Sequence, residues 1–116
     1  MHEMALTQSL LDIALRKGQE AGARRVAKIH VQIGKLACVT SHAMRFCFSE
    51  LAKNTLAQDA QLVFTYLSAQ GLCHTCGMTF AAESYLATCP RCQSSEVIIT
   101  GGDALMVNSI EVDLCA

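Results

Sequence analysis

The sequence predicts an α+β protein: a small two-layer domain, two helices on a three-stranded mixed sheet, interrupted by a cysteine-rich insertion. Three observations carry this expectation. Two segments repeat apolar residues at helical spacing, three alternate them at strand spacing, and four of the seven cysteines recur as two CxxC pairs.

The first helix is expected over Met4 to Gln19. Leu6, Leu10, Ile13 and Lys17 share a stripe flanked by Leu11, Ala14 and Leu15. Arg16 and Lys17 suit the negative end of the helix dipole, and Gly18 and Gly22 are read as stop signals. Val26 to Leu36 reads as a strand, with Ala27, Ile29, Val31 and Ile33 facing inward against Lys28, His30 and Gln32. His30 is therefore expected in solvent. Thr40 or Ser41 is the expected N-cap of a second helix whose core stripe is Met44, Cys47, Phe48 and Leu51. Cys47 on that stripe is read as a small buried hydrophobe. Leu62 to Ala69 is a second strand, with Leu62, Phe64 and Tyr66 on one face, and Leu105 to Leu114 a third. A strand–helix–strand step makes the first two strands parallel if they pair, with the third returning antiparallel; a wholly antiparallel sheet is the alternative.

Residues 70–102 break this pattern, so the expected division is an α+β domain of residues 1–69 plus 103–116 and an inserted domain of residues 70–102. The insertion holds Cys73, Cys76, Cys89 and Cys92 and the only proline, with two glycines at its exit. The arrangement is C-x2-C-x12-C-x2-C. Two thiolates two residues apart grip one ion from a tight turn, and two such knuckles make a tetrahedral S4 cage, the closed type of structural zinc site. Gly77 helps the first turn close because it tolerates positive φ. With few apolar residues of its own, the inserted zinc ribbon is expected to take its folding energy from the metal. The CPRC half also resembles an iron-binding rubredoxin knuckle, which leaves iron as an alternative. His74, inside the first knuckle, is read as solvated or hydrogen-bonded beside the site rather than as a ligand. Cys38 and Cys115 have no identifiable partner.

Composition narrows the function. The chain has 116 residues, 52% of them hydrophobic, and a formal charge of -1. No apolar run reaches the ~18–20 residues that cross a bilayer, and no basic-then-apolar leader opens the chain. An odd cysteine count without such a leader fits a reducing cytoplasm better than a disulfide framework. Between Gly71 and Thr100 one basic residue, Arg91, stands against Glu83 and Glu96. Four thiolates and one Zn2+ add further negative charge, the wrong sign for binding nucleic acid. No nucleophile–base pair, phosphate loop or carboxylate pair suggests an enzyme. A zinc-ribbon module for nucleic acid or a regulatory complex, and a thiol oxidoreductase using Cys73 and Cys76, are the competing readings. Edge strands of a small open sheet also offer a route to a homodimer.

The chain opens Met1-His2-Glu3. An α-amine, the next amide nitrogen and the Nδ1 of a histidine at position two reach one ion through small, low-strain rings. Binding through amine and amide nitrogen demands a flat, nitrogen-rich plane, the geometry that Ni(II) and Cu(II) favour. The fourth donor is left open between the Glu3 amide, the Glu3 carboxylate and a partner's ligand. An α-amine with an ordinary pKa of roughly 8 makes such binding weaken in mild acid.

Together, the MHE start, the Ile33-Gly34-Lys35-Leu36 strand end, the paired CxxC insertion and the Ser109 to Leu114 stretch SIEVDL resemble the HypA/HybF family of hydrogenase nickel-incorporation proteins. The resemblance runs nearly end to end. It implies a metallochaperone that takes Ni(II) at Met1, His2 and Glu3 and delivers it to the large subunit precursor of a [NiFe]-hydrogenase. It also implies a HypB-type GTPase as partner and a structural Zn(II) on Cys73, Cys76, Cys89 and Cys92. Some relatives also serve urease.

Overall fold

A computed structural model of the chain describes residues 2–114, with the His2 side chain left aside. The elements run α1 (His2–Glu20), β1 (Ala23–Gly34), α2 (Ser41–Leu51), β2 (Gln61–Leu67), β3 (Ala69–Cys73), β4 (Thr79–Ala82), β5 (Val97–Thr100) and β6 (Leu105–Leu114). They form two three-stranded sheets, ordered β2-β1-β6 and β4-β3-β5. The chain divides into two compact units: one of Met1–Gln32, Val39–Thr65 and Met106–Ala116, the other of Ile33–Cys38 and Tyr66–Leu105. No helix among the described residues is long and apolar enough to cross a membrane.

In the first unit, α1 packs on α2. The stripe that α1 buries is Thr7, Leu10, Leu11, Ala14 and Gly18, displaced by about one position from the expected one. Thr7 is the reason a polar residue can lie at its centre: its hydroxyl donates to the Glu3 carbonyl at 2.5 Å, so no hydroxyl is buried unpaired. Gly18 is not the stop that its type suggested. It lies inside α1, where an added Cβ would stand 3.0 Å from Val26 Cγ2, so its absent side chain lets the helix approach the strand. Gly22, at φ +70°, makes the turn into β1.

Thr40 caps α2, its hydroxyl accepting the Ala43 N–H at 3.1 Å. Met44, Cys47 and Phe48 are buried as their spacing predicts. The Arg45 guanidinium lies 4.8 Å from the centre of the Phe64 ring and donates to the Leu62 carbonyl at 2.7 Å, tying α2 to β2.

Central β1 does not alternate evenly: Val26 and Ile29 are both buried, three residues apart, before Val31 and Ile33 resume the period of two. Ala27 is therefore not the inward residue expected. Arg25 bonds Asp113 at 2.6–2.8 Å and His30 bonds Glu111 at 2.6 Å, so residue numbers rise on β1 as they fall on β6, and the two strands are antiparallel. His30 is thus not simply solvated. Its hydrogen bond holds the Glu111 carboxyl below the usual carboxylate range. On the other side, Val26 N–H reaches Leu56 O and Lys35 N–H reaches Leu67 O, numbers climbing together as in a parallel pair. The sheet is mixed, as predicted.

In the second unit, β2 ends at Leu67 and Ala69 already belongs to β3, two residues before the expected strand end. Strand β3 pairs antiparallel with both β4 and β5; Gly71 stands opposite Phe80 on one side and Ile99 on the other. Tight backbone packing closes the base of this sheet. Leu36 N–H donates to Gly102 O and Gly34 N–H to Ala104 O, both at 2.7 Å. A Cβ on Gly34 would fall 2.0 Å from Gly102 O, and one on Gly102 would fall 2.6 Å from Ala69 Cβ. The IGKL segment is a strand end that requires glycine because another backbone passes directly over it. Replacing Gly34 by alanine should therefore destabilise the fold by about 2–4 kcal/mol, since backbone rather than a flexible side chain must move. Denaturant unfolding of the variant measures this, and a loss under about 0.5 kcal/mol would contradict the packing described.

Candidate metal centre

The only group of three or more His, Cys, Asp or Glu side chains placed to hold one metal ion, among the described residues, is Cys73, Cys76, Cys89 and Cys92. Their sulfurs all lie within 4.8 Å of one another. Cys73 and Cys92 approach to 3.5 Å, and Cys76 and Cys89 to 3.7 Å. A regular tetrahedron with ~2.3 Å Zn–S bonds has edges of about 3.8 Å, so the four sulfurs fit a zinc ion. Four thiolates would fill every position of a tetrahedral zinc ion, the closed donor set of a structural site.

Two matched turns build it. In the first, Cys73 N–H donates to Met78 O and Gly77 N–H to Cys73 O; in the second, Cys89 N–H donates to Ser94 O and Gln93 N–H to Cys89 O, all at 2.8–2.9 Å. Each turn closes on a residue of positive φ one position after its second cysteine: Gly77 at +79° and Gln93 at +64°. Gly77 was legible from the sequence. Gln93 was not, because its residue type gives no hint of a left-handed backbone. A hydroxyl bond of 2.8 Å between Thr75 and Ser94 joins the two turns.

The four sulfurs are not equivalent. Cys73 and Cys89 are buried at the ends of the sheet and the second turn, whereas Cys76 and Cys92 are exposed. Cys73 Sγ accepts the Cys76 N–H at 3.4 Å, and Cys89 Sγ accepts N–H groups from Arg91 and Cys92 at 3.4 and 3.5 Å. These amides stabilise thiolate. The Cys76 N–H brings Cys73 down to about 6 against the opposing effect of burial, and the Cys92 N–H lowers Cys89 in the same way. Cys92 accepts from Ser94, which lowers it, yet partial desolvation and three neighbouring sulfurs outweigh that and push it up to about 12. A divalent cation at the centre of the cluster removes that conflict.

The remaining candidates fall elsewhere. The His74 side chain is exposed and outside the sulfur cluster, its backbone N–H donating to Glu96 O. Cys38 is exposed, and Cys47 is buried in the helical core. Met1, the His2 side chain and Cys115 lie outside the described residues. The backbone at His2 opens α1, and Glu3 lies half-buried in its first turn.

Stripping zinc with a chelator should unfold the ribbon before the helical unit. Amides of β3, β4 and β5 are expected to lose hydrogen-exchange protection while Ile29 and Val31 keep theirs. Retained protection at Gly71 and Leu72 in metal-free protein would show that the ribbon does not depend on its ion.

Residues 1–112 match the sequence model of the HypA family, described as hydrogenase/urease nickel incorporation, metallochaperone. A hydrogenase maturation factor HypA of Chlorobium luteolum is 40% identical over 113 residues, covering 97% of both chains. One of Rhodopseudomonas palustris is 38% identical over 113 residues, covering 97% of this chain and all (100%) of the relative. Among solved structures, the Ni metallochaperone HypA from Helicobacter pylori superposes with a TM-score of 0.70 at 23% identity, over 98% of this chain and 99% of that one. At that identity the likeness speaks for the fold, and the fold is shared. The chain belongs to the HypA family, metallochaperones of nickel incorporation, and is not an enzyme.

Proposed function

We propose that this chain binds Ni(II) through Met1, His2 and Glu3 and delivers it to the large subunit precursor of a [NiFe]-hydrogenase, while Cys73, Cys76, Cys89 and Cys92 hold a structural Zn(II). The observation that carries the reading is the family match, which begins at residue 1 and so takes in this terminus.

The start of α1 supports it physically. The first N–H groups of a helix have no carbonyl partner within the helix. Amide nitrogens at His2 and Glu3 can therefore release their protons to solvent and bind a metal without breaking a helical hydrogen bond. Amine, amide and imidazole nitrogens then define a plane suited to Ni(II). The site is open at the chain end and exchanges its ion, whereas the four-sulfur cage is closed and retains one. The reading assigns nickel to the α+β domain of residues 1–69 plus 103–116 and zinc to the inserted domain of residues 70–102. It includes a HypB-type GTPase as partner and a cytoplasmic site of action.

Calorimetric titration of the zinc-loaded chain with nickel tests the reading. One Ni(II) per chain is expected, with affinity falling as pH drops from 8 to about 6, because protons compete for an amine of ordinary pKa roughly 8. His2→Ala, or one extra residue before Met1, should weaken binding by at least ~100-fold, about 2.7 kcal/mol at ~1.36 kcal/mol per tenfold. Undiminished uptake by either variant would overturn the proposal.

A further inference from the structure

Strand β6 presents a feature that neither metal uses. It is the terminal strand of the β2-β1-β6 sheet, so over Leu105–Leu114 one side of its backbone has no partner strand among the described residues. Along such an edge every second residue turns its N–H and C=O outward, ready to pair with an added strand. Beside this edge, Ile13 and Lys17 of α1 and Val107, Asn108, Ser109 and Ile110 of β6 line an open pocket of about 190 Å³. Consecutive Asn108 and Ser109 are both exposed, a slip in the alternation of β6 beside the cavity.

The chemistry of the groove selects its occupant. An unpaired edge recognises extended main chain. An apolar cavity of about 150 Å³ is enough to take up a benzene ring, so the space between Ile13, Val107 and Ile110 has room for one Phe or Leu side chain. Lys17 is the only charged residue of the lining; it is more than half exposed, and its ion pair with Glu20, at 3.8 Å between two exposed side chains, is loose enough to exchange for another carboxylate. It therefore favours a carboxylate on the incoming segment. A second copy of β6 offers no free acid, because Glu111 and Asp113 are already bonded to His30 and Arg25.

We propose that the β6 edge is a docking site for an extended, acidic segment of a partner protein, which adds as a strand, seats one Phe or Leu in the Ile13–Val107–Ile110 cavity and places a carboxylate against Lys17. The mode is strand addition, in which backbone bonds supply affinity and a side-chain pocket supplies selectivity.

Two capped hexapeptides probe it, TVFVDT and TVFVKT, whose aromatic and charged side chains lie on one face of an extended strand. Each is titrated into the zinc-loaded, nickel-free full chain and followed by amide chemical shifts and hydrogen exchange. The acidic peptide should shift Ile13 and Val107–Ile110, slow exchange on the outer edge of β6, and bind about three- to fivefold tighter than the basic one, the scale of one exposed charge pair. Lys17→Glu, an exposed substitution, should invert that preference. No change at β6 up to millimolar peptide, changes confined to β3–β5, or a preference that Lys17→Glu leaves unaltered would each overturn the proposal. Edge protection that grows with protein concentration in the absence of peptide would assign the edge to a second copy and overturn it as well. Because nickel is absent throughout, these outcomes are independent of the terminal metal site.

Discussion

Four sulfur atoms within 4.8 Å of one another hold together a part of the chain that has little hydrocarbon of its own to fold on. Inside residues 70–102 the buried side chains are Cys73, Ala82 and Cys89, with Gly71 and Gly102 buried as bare backbone. So few carbon atoms cannot offset the entropy of ordering the segment. Sulfur–metal bonding can, because a structural zinc site contributes its binding energy directly to folding. The rest of the ribbon follows from serving that cluster. Backbone N–H groups face Cys73 and Cys89, residues of positive φ close each turn, and Gly71 leaves room for the Phe80 ring, which a Cβ would meet at 2.6 Å.

The first unit is stabilised differently. Its core is the apolar set of Leu10, Leu11, Val26, Ile29, Val31, Met44 and Phe48, all nearly inaccessible, and it requires no ion. The four-thiolate cage satisfies every coordination position and suits retention. In the proposed nickel site, amine, amide and imidazole nitrogens would belong to a helix end whose first N–H groups have no partner within the helix, a set suited to release.

Much of this was legible in the sequence, for reasons that differ element by element. The Met44–Cys47–Phe48 stripe and the Thr40 cap were readable because helix periodicity and capping are local. The CxxC pairs were readable because ligand spacing is a covalent constraint. Most of β1's buried face was readable as well, in Ile29, Val31 and Ile33, but Val26 in place of Ala27 was not, because the period of two breaks between Val26 and Ile29. His30 was read on the polar face, where it lies, but its bond to Glu111 was not legible because the two are 81 residues apart. Gly18 looked like a helix stop and is instead a contact point, a distinction that only the neighbouring Val26 makes. The strands of the ribbon went unpredicted because AQGLC, TFAA and VIIT are too short to display a period. Gln93 could not have been singled out from its residue type at all.

X-ray absorption at both metal edges of the chain loaded with one zinc and one nickel tests the division of labour most directly. The account predicts a planar nickel environment of nitrogen and oxygen donors without sulfur, and a zinc environment of four sulfurs at ~2.3 Å that is unchanged when nickel is added. Sulfur in the nickel shell, or a zinc shell that alters on nickel binding, would contradict it.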